Sequence, residues 1–186
     1  MSRKLAGKTI LLGVTGSIAA FKAVDLASKL VQEEANVVVL MTAAAVKFVA
    51  PLSFEAITRS PVVTDLWEPG YSDIVESRHV SLAEKAHLLL IAPATANIIA
   101  KLANGLADDI LTCTALATRA PILIAPAMND RMYSHPATQR NVALLRDRGC
   151  LFVGPQEGRL ASGKVGLGRL ADIPVIMDAV CEAVKK

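Results

Sequence analysis

Five short apolar runs, at residues 9–14, 36–41, 87–92, 121–125 and 151–153, recur along the chain, and each is followed by a stretch with helical character. Strands alternating with helices pair in parallel, because each crossover helix returns the chain to the end of the sheet from which it left. Four of the runs are almost wholly apolar instead of alternating, which marks interior strands covered on both faces. The pattern predicts an α/β fold: a doubly wound, flavodoxin-like (Rossmann-type) parallel sheet with helices on both faces. At 186 residues the chain can build one full core and is short for two, so one domain over 1–186 is expected.

A sheet buried on both faces also accounts for a mean hydropathy of +0.43, although extensive subunit contacts would do the same. The apolar runs stop far short of the ~20 residues that cross a bilayer. The basic start leads into a strand-like segment unlike a signal peptide, so a cytoplasmic location is expected. The 20 basic and 17 acidic residues leave a formal charge of +3 without like-charge blocks, which argues against nucleic acid or an anionic membrane as partner and for a small molecule. Cys113, Cys150 and Cys181 are odd in number and widely spaced. With no C-x-x-C pair, no metal site is expected and the thiols read as reduced core residues.

Residues 17–31 place Ile18, Phe21, Val24, Leu26, Leu30 and Val31 on roughly one helical face. Residues 107–118 offer almost no charged face after Asp108 and Asp109, which predicts a buried helix facing another subunit. Two stretches resist the strand–helix scheme. Residues 64–78 read as a long polar loop, and residues 155–170, rich in glycine and carrying Arg159, Lys164 and Arg169, read as a structureless loop of the kind that often forms a lid.

Three strand ends carry small and hydrogen-bonding residues. In Gly13-Val14-Thr15-Gly16-Ser17-Ile18 the first strand turns into the first helix, where backbone N–H groups and the helix dipole suit a phosphate, or where glycine merely serves a tight turn. The second strand ends at Met41-Thr42 and lacks the acid that grips a ribose diol, which favours a mononucleotide such as FMN over NAD. Pro93-Ala94-Thr95-Ala96-Asn97 and Pro126-Ala127-Met128-Asn129 end two more strands, and each alone would pass for an ordinary helix cap. All three lie on the carboxyl edge of the sheet, where open α/β folds bind ligands. Of the three histidines, His87 and His135 read as structural, while His79, opening the helix after the polar loop, is the candidate base.

Together Gly16-Ser17-Ile18-Ala19-Ala20-Phe21-Lys22, His79, Pro93 to Asn97, Pro126 to Asn129 and Leu160-Ala161-Ser162-Gly163 resemble the homo-oligomeric flavin-containing cysteine decarboxylases, most closely the branch acting on phosphopantothenoylcysteine in coenzyme A biosynthesis. The resemblance runs from about Gly7 to about Ala179. It implies FMN bound between subunits of a trimer or trimer-based dodecamer, on Gly16, Ser17, Ile18, Thr42, Thr95, Ala96, Asn97 and Ala127. It implies His79 as base, Asn129 at the substrate carboxylate, Met128 among the substrate-binding residues, and a substrate clamp around Ser162. Charge and loop position add Arg159, Lys164 and Arg169 as phosphate partners. The implied substrate is a phosphorylated cysteine conjugate, and the implied partner a phosphopantothenate–cysteine ligase, separate or on the rest of a longer chain. The implied route passes through a thioaldehyde and an enethiol. The sequence departs from the family at Ser162, where a proton-donating cysteine is usual, because a hydroxyl is a far weaker acid than a thiol. Another group then donates the proton, the chain is an altered variant, or the reaction stops at the enethiol, as in peptidyl-cysteine decarboxylases. A regulatory, non-catalytic flavoprotein is the remaining alternative.

Overall fold

A computed structural model describes residues 4–67 and 77–185; residues 68–76 of the polar loop lie outside the described residues. Five parallel strands form the sheet: β1 (Thr9–Val14), β2 (Asn36–Met41), β3 (Leu88–Ala94), β4 (Ile122–Pro126) and β5 (Leu151–Phe152), in the order β2-β1-β3-β4-β5. The register is set by pairs such as Ile10 with Val37 on one side of β1 and Ile10 with Leu88 on the other. The expected doubly wound sheet is therefore present, although β5 shrinks to two residues at the edge.

Alternate strand residues face two separate cores. Ile10, Leu12 and Val14 of β1 and Leu88, Leu90 and Ala92 of β3 meet α1 (Ala20–Gln32), α2 (Pro51–Thr58) and α8 (Ile173–Ala183). Leu11, Leu89, Ile91 and Ile124 point the other way, toward α3 (Arg78–Lys85), α4 (Ala96–Asn104), α5 (Ile110–Ala117) and α7 (Pro136–Asp147). Each leucine fully buried in this way contributes about 1.5–3 kcal/mol relative to exposure. The all-apolar strands are thus read correctly as doubly covered.

Helix α1 brings a correction. In α1 the buried stripe is Ala20, Ala23, Leu26, Ala27 and Leu30. Ile18 and Phe21, assigned by spacing to the core face, are 58% and 60% exposed: Ile18 precedes the helix, and Phe21 lies off the alanine-rich stripe that packs on the sheet. The helix expected to be buried and to face another subunit buries Ile110, Leu111, Thr112, Thr114 and Ala115 within the chain and leaves Leu116 57% exposed. Its start is fixed by a capping box, in which Asp109 Oδ1 accepts from the Thr112 N–H at 2.8 Å and the Thr112 hydroxyl oxygen accepts from the Asp109 N–H at 3.1 Å.

The segment 155–170 is not a structureless loop. It forms an antiparallel hairpin of β6 (Gln156–Arg159) and β7 (Val165–Arg169), whose turn passes through Gly163 at φ +83°. Weak alternation and scattered glycines hide these strands from a periodicity reading, because small residues are what let the hairpin lie against the turn after β4.

Candidate active site

The carboxyl ends of β1, β3 and β4 are tied together by side chains from their own loops. The buried Thr15 hydroxyl donates to the Pro93 carbonyl at 2.6 Å and accepts from the Thr95 N–H at 3.1 Å. It bridges β1 to β3 at the point where the strand order reverses, which is where open α/β sheets open a crevice. The Ser17 hydroxyl donates to the Ala127 carbonyl at 3.3 Å, and the Ala127 N–H donates to the Ala94 carbonyl at 3.0 Å. Gly16 is required by packing, since a Cβ there would collide with the Ala44 side chain in the loop after β2.

A cavity of about 660 Å³ opens above this edge, its wall completed by the hairpin. Met128 donates its N–H to the Gly168 carbonyl at 2.9 Å, and a side chain at Gly168 would run into the Met128 carbonyl oxygen, so β7 lies with its backbone directly on the Pro-Ala-Met-Asn turn. Asn129 caps α6 (Asp130–Ser134), its Oδ1 accepting from the Arg131 N–H at 3.0 Å. Its amide nitrogen has no partner among the described residues and is available to donate to an anion.

Ten of the residues singled out in the sequence line this one cavity: Gly16, Ser17, Ile18, Thr95, Ala127, Met128, Asn129, Arg159, Ser162 and Arg169. Five do not. Thr42 accepts from the Ala45 N–H within its own turn, Asn97 is exposed, Lys164 stands out on the hairpin tip, Ala96 lines a smaller cavity, and His79 sits half-buried in the first turn of α3. Because α3 packs against α5, in the layer opposite α1, His79 is absent from the cavity wall of its own chain. Arg169 lines the cavity, but its terminal nitrogens are held by Asp172 (3.0 and 3.1 Å) and by the Gln156 side-chain oxygen (3.0 Å). That geometry makes it a brace at the hairpin base, whereas the Arg159 guanidinium on the wall has no partner among the described residues.

Sequence reading missed Thr15 as the bridge and Phe21, Met132 and Leu170 as apolar wall. None carries a local signal, since the Thr15 partners lie 78 and 80 residues away. Outside the lining of the larger cavity, Nδ1 of His87 accepts from the Thr9 N–H at 3.1 Å, and Nδ1 of His135 accepts from the Ala137 N–H at 3.2 Å. The three cysteines are free, half-buried and outside the cavity lining, and burial raises each thiol above its ordinary pKa.

The residues present fit a flavin mononucleotide. At the start of α1 the Ser17 N–H donates to the Thr15 carbonyl at 2.8 Å, while the N–H groups of Gly16 and Ile18 have no partner among the described residues and are left for a phosphate. Beside them the wall is predominantly apolar, as an aromatic ring system requires.

Comparison with known proteins points the same way. The sequence profile of the Flavoprotein family matches residues 1–185. The chain is 51% identical over 168 residues to the coenzyme A biosynthesis bifunctional protein CoaBC of Bacillus subtilis, covering 90% of this chain and 41% of that protein. It is 44% identical to a probable phosphopantothenoylcysteine decarboxylase of Streptococcus mutans, covering 94% and 98%. The chain thus spans less than half the length of the bifunctional relatives. Among solved structures, a PPC decarboxylase mutant complexed with pantothenoylaminoethenethiol superposes with a TM-score of 0.86 at 32% identity, covering 96% and 99%. The FMN-dependent cysteine decarboxylase SpaF superposes at 0.83 and 38%, covering 97% of each chain.

Proposed function

Because the chain belongs to the flavoprotein family, we propose that it is an FMN-dependent decarboxylase acting on phosphopantothenoylcysteine. The observation that carries this reading is the convergence of Ser17, Thr95, Ala127 and Asn129, from three strand ends, on one apolar cavity beneath the hairpin.

Bound FMN supplies the two-electron oxidation of the substrate CH2–SH group to C=S, the electron sink that lets CO2 leave and an enethiol form. The protein supplies the rest. The free amide N–H of Asn129 holds and orients the carboxylate. Met128, Leu160 and Leu170 exclude water, so the substrate carboxylate, whose negative charge passes to the C=S sulfur as neutral CO2 leaves, is poorly solvated before reaction. Arg159 on β6 attracts the anionic substrate.

His79 acts as the base that removes a proton from the reacting CH2–SH group. Its distance from the cavity of its own chain supports an assembly of trimer type, in which His79 of one subunit reaches the cavity of the next. A ligase, on a separate chain or on the rest of a longer protein, supplies the substrate.

One observation favours a divided reaction. Ser162 lines the cavity while Cys113, Cys150 and Cys181 lie elsewhere, so no thiol is at hand to donate the last proton. Incubating the FMN-loaded protein with phosphopantothenoylcysteine and weighing the product decides both points. Enethiol up to one equivalent per bound flavin, with the flavin left reduced, is expected; a fully reduced phosphopantetheine would show that a thiol is dispensable, and no CO2 release would reject the decarboxylase itself.

A further inference from the structure

The hairpin brings Arg159, at the end of β6, and Ser162, in the turn, to the wall of the larger cavity, and it joins the rest of the chain at its opposite end. At that base three side chains close a ring. Arg169, the last residue of β7, stands across from Gln156, the first of β6. Its Nη2 donates to the Gln156 side-chain oxygen at 3.0 Å and to Asp172 Oδ2 at 3.1 Å, and its Nη1 lies 3.0 Å from Asp172 Oδ1. The Asp172 N–H donates to the same Gln156 oxygen at 3.2 Å, so each member of the ring is bonded to the other two. Two parallel bonds between a guanidinium and a carboxylate fix direction as well as distance, which an ammonium cannot do.

Asp172 is a fixed point. It is the N-cap of α8, whose Ile176 and Val180 are fully buried in the core. Its side chain makes no capping bond, and both carboxylate oxygens go to Arg169. The Arg169 stem crosses β6, where a Cβ at Gly158 would meet its Nε and Cδ. That Nε is buried and has no hydrogen-bond partner among the described residues. A buried donor left unmade lowers stability, so the arginine is a costly way to hold two strands together, and what it adds is direction. Three residues of extended strand separate Gln156 from Arg159, about 10 Å, so a tilt of about 10° at the base carries Arg159 about 2 Å. Misplacing a group by about 1 Å costs on the order of a hundredfold in rate where the reaction depends on its position.

We propose that Arg169 is a positioning residue. Through Gln156 and Asp172 it sets the angle at which the hairpin stands over the cavity, and with it the reach of Arg159 and Ser162 toward the substrate; it does not itself hold a substrate group. This rests on the reading of the larger cavity as the site of decarboxylation.

The test measures CO2 release from phosphopantothenoylcysteine in a single turnover of the FMN-loaded protein. It compares the parent with Arg169→Gln, Arg169→Lys, Asp172→Ser and the double variant of Arg169→Gln with Asp172→Ser; serine keeps a good N-cap and removes the carboxylate. At limiting substrate each single variant is expected to react about tenfold more slowly at full flavin content. The double variant is expected to be no slower than Arg169→Gln, because both residues act through one contact. Asp172→Ser is the decisive arm. Losing the carboxylate leaves more positive charge at the cavity wall, so the field alone predicts faster capture of an anionic substrate, and only a lost brace predicts slower reaction. Parental or faster reaction in Asp172→Ser overturns the proposal. So does a parental rate in Arg169→Lys, since a cation that merely touches the substrate survives that exchange. Hydrogen exchange gives a second readout without turnover: it is expected to rise across 156–169 in each variant while α8 stays protected. If the parent releases no CO2, the reaction is wrong and exchange alone decides, parental protection of the hairpin overturning the brace.

Discussion

Thr15→Val replaces a buried hydroxyl by a methyl of nearly the same size and so isolates the bridge between β1 and β3. Thr15 is 1% exposed, and its oxygen serves two backbone groups, the Pro93 carbonyl at 2.6 Å and the Thr95 N–H at 3.1 Å. Valine satisfies neither. Leaving a buried polar group without its partner costs about 1–3 kcal/mol. Pro93 is buried and Thr95 only half-buried, so the sum is about 2–4 kcal/mol. For a domain of this size each kcal/mol moves the midpoint by roughly 2–4 °C, giving a fall in Tm of about 4–16 °C. Thr15→Ser keeps the hydroxyl and is expected to recover most of the loss. Flavin affinity should fall with the bridge, because Ser17 and Thr95 flank the same cavity. Melting curves of the apoprotein and flavin titrations of parent and both variants provide the assay. A valine variant with parental Tm, or a serine variant as unstable as valine, would refute the reasoning.

Gly168→Ala should weaken the hairpin more than the sheet. The new methyl meets the Met128 carbonyl, and overpacking of this kind costs about 1–3 kcal/mol; hydrogen exchange should rise across 156–169, and parental protection there would contradict the packing described. Lys101 Nζ lies 2.6 Å from Asp108 Oδ1 and 3.4 Å from Asp109 Oδ2. The hydrogen bond to Asp108 raises Lys101 above its ordinary pKa against an opposing burial effect, and it holds Asp108 below the usual carboxylate value. The Asp108 contribution is therefore present above the unfolded carboxylate range and lost as pH falls through the folded value. That of Lys101 is present at neutral pH and lost as pH climbs through its raised value. The Tm difference between parent and Lys101→Met should accordingly shrink in strong acid and strong base, and a pH-independent difference would contradict it. The three thiols, raised first of all by burial, should alkylate more slowly than free cysteine at neutral pH, and a fast-reacting thiol would place that residue in a different setting.

The parallel sheet was readable in the sequence because its strands are apolar on both faces, a pattern few other arrangements tolerate. The edge-wise gathering of Gly16, Thr95, Ala127 and Asn129 followed from the fold, since parallel strands present their ends together. What escaped depends on contacts between distant segments. Phe21 looks like a core residue by spacing, yet the sheet accepts only the small stripe of Ala20, Ala23 and Ala27, which turns the ring outward to the cavity. Arg169 looks like a free cation in a glycine-rich stretch, and only folding brings Gln156 and Asp172 to its guanidinium. The hairpin was hidden because its glycines answer to close neighbours and not to strand propensity: Gly168 lies against the Met128 backbone, Gly158 against the Arg169 side chain and Gly166 against that of Asp130.

The two-layer arrangement has a consequence in genetics. His79 belongs to the α3–α5 layer, whereas Asn129 and the hairpin wall the cavity beside α1. If each working centre draws these parts from two subunits, a chain carrying His79→Asn and a chain carrying Asn129→Asp are each inactive alone but together restore some centres composed entirely of intact halves. Two defective alleles in one cell would then complement, with recovered activity set by the ratio in which they are expressed, while His79→Asn paired with itself would never recover. The boundary of the functional unit would in that case be drawn between chains instead of around one.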